Sequence, residues 1–188
     1  MDKGTTVQES DLRERFLAGM SNAACTVSVV TTSGPSGRFG VTISAMSSVS
    51  ADAPEPTLLV CINSNSPTAQ AIIENGVFCV NVLKDDQWRV SDCFAGRRRT
   101  HDGDRFSSTN WTTDVLGSPR VERPLASFSC RLASSQKIGT HHVFFGNVVD
   151  IVSVESGSPL IYANRAYGTP TRIETHAPAE AAAQPETI

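Results

Sequence analysis

Cys25-Thr-Val-Ser-Val-Val-Thr-Thr32, then Ser33-Gly-Pro-Ser-Gly37, then Arg38-Phe-Gly-Val-Thr-Ile-Ser-Ala-Met46 is the stretch on which the fold turns. Its two flanks are rich in β-branched residues, whose stiff side chains suit a pleated surface, and its centre is turn chemistry, so it reads as a β-hairpin. Beyond it, Asp52-Ala-Pro-Glu-Pro56 excludes a helix. The continuous apolar run Thr57-Leu-Leu-Val-Cys-Ile62 then suits a central strand.

Working outward, Gln8 to Gly19 reads as a helix: Leu12, Phe16 and Leu17 share one face, Ser10 is placed to cap it, and the helix is expected to cover one end of the core. Residues 1–9 read as a flexible arm before it. Ser66-Pro67 followed by Asn75-Gly76 brackets a short helix over Pro67 to Glu74, with Ser66 as cap. Val77 to Leu83 reads as a strand and Gln87 to Phe94 as a further short helix ended by Gly96. The polar stretch from there through Arg120 reads as a long loop and a candidate lid. Ala126 to Ser135, His142 to Val154 and Leu160 to Ala163 supply three more strands. The Ala/Pro/Glu-rich tail, residues 174–188, reads as disordered, which leaves one folded domain over residues 10–173. Short strands, hairpin turns and few helices predict a mainly β antiparallel barrel or sandwich with small helices at its margins.

With 188 residues, 39% hydrophobic and 19% charged, the composition is globular. A net charge of −3 gives no field for nucleic acid or an anionic membrane surface, and neither is an expected partner. Met1 to Ser10 holds no apolar leader-like segment and no run elsewhere approaches the roughly 20 residues of a membrane helix, so a cytoplasmic location is expected. Five widely spaced cysteines without a Cys-x-x-Cys pair read as reduced, buried thiols. Four histidines without a His-x-x-x-His helix give no expectation of a metal. The dinucleotide fingerprint, the phosphate loop and the Gly-x-Ser-x-Gly elbow are all missing; Gly34, Gly37 and Gly40 are wrongly spaced and precede a strand.

Read together, the segments Ala24 to Ser50 and Pro56 to Asn63 closely resemble the flavin reductase family, the small components of two-component flavin-dependent monooxygenases such as the 4-hydroxyphenylacetate and phenol hydroxylase systems. The likeness continues in order through Phe78 to Leu83, Phe94-Ala-Gly96, Asp104-Arg-Phe106, Leu125 to Cys130 and Gly139-Thr-His-His-Val-Phe-Phe-Gly146, covering roughly Phe16 to Tyr167. The resemblance implies a split β-barrel of the flavin reductase type and a homodimer. It implies a reaction in which NADH or NADPH reduces FMN or FAD, with reduced flavin passed to a separate oxygenase component. A flavin retained as a prosthetic group, and a non-catalytic flavin-binding module, stay open as alternatives.

By the same resemblance, Val41 to Ser48 wraps the edge of the flavin ring, which singles out Thr42, Ile43, Ser44, Ala45, Ser47 and Ser48. Small residues let the backbone approach a flat polar ring closely, although the same hydroxyls also suit bonds to their own backbone. Asn63, Ser66 and Thr68 correspond to the ribityl and phosphate site, where a helix N-terminus favours an anion, with helix capping the plainer role. Gly139-Thr140-His141 stands where many members carry Gly-Asp-His, which marks His141 as the catalytic, nicotinamide-side residue, with Thr140 replacing the usual carboxylate. Tyr167 matches an aromatic near the nicotinamide. Phe94 and the basic run Arg97 to Arg99 fall at the flavin-side loop, where a phosphate contact and a solvated loop are both open.

Overall fold

The computed structural model describes residues 3–52 and 54–173, and residues 174–188, where the tail was expected, lie outside it. The expected hairpin is present, with its first flank divided: β1 (Cys25–Thr26) pairs elsewhere, whereas β2 (Ser28–Thr32) pairs antiparallel with β3 (Phe39–Ile43). The turn between them is closed by Gly37 N–H donating to the Gly34 carbonyl at 2.9 Å, and Gly37 sits at φ +99°, a conformation that favours glycine.

After β4 (Met46–Ser50) and β5 (Thr57–Asn63) come α2 (Pro67–Asn75), β6 (Val77–Val82) and α3 (Trp88–Phe94). A short hairpin, β7 (Trp111–Thr113) and β8 (Pro119–Val121), precedes the long strands β9 (Ala126–Ile138) and β10 (His141–Ser153). The chain closes with β11 (Ile161–Ala163) and β12 (Ala166–Gly168). The main sheet has seven strands in the order β3-β2-β6-β9-β10-β5-β4, every neighbouring pair antiparallel.

This order dictates the shape. The two edges of the sheet, β3 and β4, are consecutive in the chain and separated only by Ser44 and Ala45. Three peptide steps span at most about 11 Å, so the sheet has to roll until its edges meet. They meet without pairing to each other, which makes the barrel a split one. Inside it lie Val30, Val60, Ile62, Phe78, Val80 and Phe144, with Ala69 and Ile72 of α2 packed against them. A second cluster on the outer face joins Val29, Leu83, Val90, Phe94, Phe106, Val121 and Leu160. Strand β2 is therefore buried on both sides, which is what its unbroken β-branched run predicts. Strand β5 instead alternates between buried and half-buried positions and lies next to the β4 edge, so the expected central strand is a penultimate one.

Several expectations need correction. Helix α1 runs Lys3–Ser21, so most of the expected arm is helical and Ser10 lies inside the helix rather than at its start. It does not cover the core: Leu12, Phe16, Leu17 and Met20 are exposed. Its far end is tied down where Asn164 N–H donates to the Ser21 carbonyl. Ser66 precedes α2 in an extended conformation but makes no side-chain capping bond, while Gly76 ends the helix at φ +70° as expected. The stretch to Arg120 is not one long unstructured loop. It holds a 3₁₀ turn at Arg105–Ser108 and the β7–β8 hairpin, and it is pinned to the core. Phe94, Phe106 and Trp111 stack edge to face at 5.0 to 5.4 Å. The buried Asn81 carboxamide accepts from Val121 N–H at 3.0 Å and donates to the Val29 carbonyl at 3.1 Å, so strand-end carbonyl and hairpin amide are satisfied together. All five cysteines are free, but Cys25 and Cys61 are only half-buried; Cys79, Cys93 and Cys130 are the buried ones. No described helix is long and apolar enough to cross a membrane.

Candidate active site

The residues singled out in the sequence gather in three places around the seam between β3 and β4. Thr42, Ile43, Ser44, Arg97 and Tyr167 line one cavity of about 150 Å³, together with Val27, Ser91 and Tyr162. The β11–β12 hairpin puts Tyr167 directly opposite Tyr162, with rings 5.4 Å apart. The Tyr167 hydroxyl donates to Asp92 Oδ1 at 2.8 Å and lies 2.9 Å from Ser91 Oγ, while Thr42 donates to the Ser91 carbonyl at 2.7 Å. Burial pushes the Tyr167 phenol up, and the neighbouring Asp92 carboxylate adds to that, so it stays a neutral donor. Arg97 donates to the Tyr162 hydroxyl at 3.2 Å and lies 3.8 Å from Asp92; the tyrosine hydrogen bond is the first cause of its raised pKa. This wall of the site is thus locked from α3, β3 and β12 at once.

Ser66, Thr68 and Phe94 line a second cavity, of about 310 Å³, with Arg38, Gly40, Asp104, Arg105 and Phe106. Arg38 donates to Asp104 at 2.8 Å and lies 4.2 Å over the Phe106 ring, so its charge is already opposed. Phe94 itself is 1% exposed and offers this cavity only an edge. Ser66 at the start of α2, without a capping bond of its own, keeps its hydroxyl available beside the helix amides.

The third group stands at the tip of the sheet. Asn63 and His141 are direct cross-strand partners where β5 meets β10. The two-residue turn Gly139–Thr140, with Gly139 at φ +56°, brings His141 back over the end of β5. His141 is exposed, and its Nδ1 lies 3.0 Å from Thr140 Oγ1. The threonine hydroxyl therefore orients the imidazole and leaves Nε2 outward. Asn63 Oδ1 accepts from Asn65 N–H at 2.9 Å, a turn-forming role that leaves only its amide nitrogen for other partners. Ala45, Ser47 and Ser48 lie exposed along the seam itself, and Ser47 donates to the Ser48 carbonyl. Asn63, Ala45, Ser47, Ser48 and His141 thus line neither of the two cavities above.

Reading the sequence missed Ser91, Asp92 and Tyr162, which hold Thr42, Tyr167 and Arg97 in place, and it missed Arg38. Ser91 and Asp92 carried the only available signal, two adjacent polar residues within the short helix ending at Phe94. No group of three or more metal-binding side chains occurs among the described residues.

Residues 20–171 match the family described as flavin reductase like domain. The FMN reductase (NADH) RutF of Stutzerimonas stutzeri is 38% identical over 156 residues, 83% of this chain and 87% of that protein. The protein of the same name from Ancylobacter novellus is 40% identical over 162 residues, 84% of this chain and 87% of its own length. Among solved structures, BorF, the flavin reductase component of a bacterial two-component tryptophan halogenase, superposes with a TM-score of 0.74 at 31% identity, covering 85% of this chain and 99% of that one. Nitrilotriacetate monooxygenase component B from Mycobacterium thermoresistibile gives a TM-score of 0.78 at 25% identity, covering 92% and 96%. A split barrel whose only chain-consecutive edges enclose a hydroxyl-lined seam, matched over most of its length, leaves one assignment: the chain belongs to the flavin reductase-like family.

Proposed function

We propose that the protein is an NADH-dependent flavin reductase that reduces FMN or FAD by hydride transfer and hands the reduced flavin to a separate oxygenase-type component. The observation that carries this reading is the family match over residues 20–171 combined with two cavities along β3, one at Thr42–Ser44 and the other at Phe39–Gly40 beside the start of α2. The residues present fit a flavin: small exposed hydroxyls and unpaired edge backbone at the seam suit the ring's oxygens and nitrogens, and the uncapped start of α2 suits a phosphate. When bound, the flavin supplies the electron-accepting ring that the protein's own side chains lack.

The chain's contribution is then placement. Thr42, Ile43, Ser44, Ala45, Ser47 and Ser48 approach the ring edge, Ser66 and Thr68 take the phosphate end, and Asn63 offers its amide nitrogen between them. Phe94 backs the cleft, and Tyr167 with Arg97 closes the nicotinamide side. His141, oriented by Thr140, donates or accepts a hydrogen bond through Nε2 and steers the nicotinamide into the short approach that hydride transfer needs.

The exposed apolar residues Leu12, Phe16, Leu17 and Met20 of α1 support pairing with a second copy, checked by the mass in solution. Five free thiols support a cytoplasmic setting. Steady-state assays crossing FMN, FAD and riboflavin with NADH and NADPH test the reaction: multiple turnovers of NADH loss with excess flavin are expected, and no turnover with any pair overturns it. His141→Ala is expected to slow reduction while flavin affinity holds; equal loss of both contradicts its role.

A further inference from the structure

His141 stands at the least supported end of the main sheet. Strand β6 pairs with β9 only as far as Arg131, so from Ala133 to Ile138 β9 is exposed and has a strand on one side alone, β10. Across β10, β5 ends at Asn63, the residue opposite His141. The turn Gly139–Thr140 that leads into His141 therefore lies past the last cross-strand pair of β5 and β10. A hairpin tip with few partners is a place where a chain opens locally, and a side chain carried on it moves with it.

One residue holds this tip. Ser64, directly after β5, donates twice to the Thr140 carbonyl, from its N–H at 2.9 Å and from its Oγ at 3.0 Å, and so takes up both lone pairs of that oxygen. Among the described residues no other hydrogen bond joins Gly139 or Thr140 to an element outside their own hairpin. Ser64 is itself fixed, because Asn65 N–H donates to Asn63 Oδ1 and Ser66 N–H to the Asn63 carbonyl, each at 2.9 Å, which closes a turn over residues 63–66 at the head of α2. The turn that carries Asn63 and Ser66 and the turn that carries His141 are thus joined at a single carbonyl. Thr140 passes the constraint on: Ser64 grips its carbonyl, while its Oγ1 lies 3.0 Å from His141 Nδ1. Hydride transfer is sensitive to small errors of placement, so looseness here would cost rate before it cost binding.

We propose that Ser64 is a positioning residue for hydride transfer: by holding the Thr140 carbonyl it fixes where the His141 imidazole stands relative to Asn63 and Ser66. The kinetic part rests on the flavin reductase reading and on the role given there to His141; the staple between the two turns does not. The test uses the full chain with Ser64→Ala, which removes the hydroxyl bond and keeps the amide one, and Ser64→Thr, which restores a hydroxyl. In the flavin-free protein the NMR order parameters of the Thr140 and His141 amides are expected to fall in Ser64→Ala and to recover in Ser64→Thr; equal order in parent and both variants overturns the staple. In single-turnover reduction of FMN by NADH, Ser64→Ala is expected to slow the reduction about fivefold, the worth of one hydrogen bond, while the flavin Kd from fluorescence quenching stays within about twofold and Ser64→Thr regains most of the rate. In a His141→Ala background Ser64→Ala is expected to bring no further loss, which a merely structural role would not give. Parental rates in Ser64→Ala, an equal loss of flavin affinity, or a loss that keeps its full size without His141 overturns the positioning role and leaves the reductase reading standing. A parent without turnover, with any pairing of flavin and nucleotide, overturns both.

Discussion

Gly40→Ala is a small change with a calculable consequence. Gly40 lies in β3, and a Cβ there would stand 2.5 Å from Phe94 Cε1, 2.9 Å from its Cδ1 and 3.3 Å from Thr31 Cγ2. To reach ordinary contact the Phe94 ring has to retreat by about 1 Å, yet it is 1% exposed and held edge to face by Phe106 and Trp111 at 5.0 and 5.4 Å. Overpacking of this kind costs about 1–3 kcal/mol. For a chain of this length that is a fall in Tm of about 2–12 °C, measured by thermal unfolding. Phe94→Ala alone opens a hole and is expected to cost about 3–5 kcal/mol. In the double variant the new methyl enters that hole, so the two effects fall short of their sum by at least about 1 kcal/mol in a double-mutant cycle. Because Phe94 and Gly40 also line the cavity beside Ser66 and Thr68, KM for flavin is expected to rise with the loss of stability. A Gly40→Ala Tm within a degree or so of the parent, or strict additivity with Phe94→Ala, refutes the reasoning.

Tyr167→Phe removes the hydroxyl shared between Asp92 and Ser91 and is expected to weaken ligand handling by about 1 kcal/mol, near fivefold in KM, and to lower stability by about 1–3 kcal/mol because the buried Ser91 hydroxyl loses its partner; unchanged kinetic constants sink the positioning role. Asp150→Ala strips Arg120, 13% exposed, of its only carboxylate among the described residues and is expected to lower stability by about 1.5–3 kcal/mol in a denaturant titration. Burial pushes Cys79 up to about 12 from 9.0, and Cys130 and Cys61 upward as well, so the folded state keeps protons that the unfolded chain releases. Stability from this source is complete below about pH 8.5 and declines as pH rises through 9 toward 12, the slope being read by unfolding at stepped pH. A thiol reagent on the native protein at pH 8 is accordingly expected to modify Cys25 ahead of Cys61 and to leave Cys79, Cys93 and Cys130 until unfolding; prompt modification of all five contradicts the burial assigned to them.

Strands with a strong local signal were legible. The β-branched run at Ser28–Thr32, the apolar runs at Thr57–Asn63 and Val77–Val82, and the Ser-Pro to Asn-Gly bracket of α2 all carry their structure in their composition. What escaped was held by distant partners. The β11–β12 hairpin turns on Asn164 and Arg165 at φ +50° and +62°, and an Asn-Arg pair lacks the glycine that announces such a turn. The β7–β8 hairpin looks like a polar loop because what fixes it is Asn81, some forty residues earlier. Helix α1 shows its apolar stripe plainly, but a stripe does not say what it faces, and here it faces away from the core of its own chain. In the site, hydroxyl-rich and helix-start segments were visible as such, whereas the Ser91–Asp92 support for Thr42 and Tyr167 exists only once α3 lies across β3.

The short link at Ser44–Ala45 also ties the seam to the whole of the sheet. The strands it joins sit at opposite ends of the seven-strand ladder, so the continuous sheet that connects them is complete only when β2, β6, β9, β10 and β5 are all paired, out to residue 153. Long-range pairing of this kind forms slowly, and only the complete ladder fixes both lips of the seam in one sheet. Any ligand that touches both lips binds the finished barrel and nothing earlier, so its whole binding free energy is added to global unfolding. The seam is in this sense the last stitch of the fold, and a ligand held there fastens every strand before it.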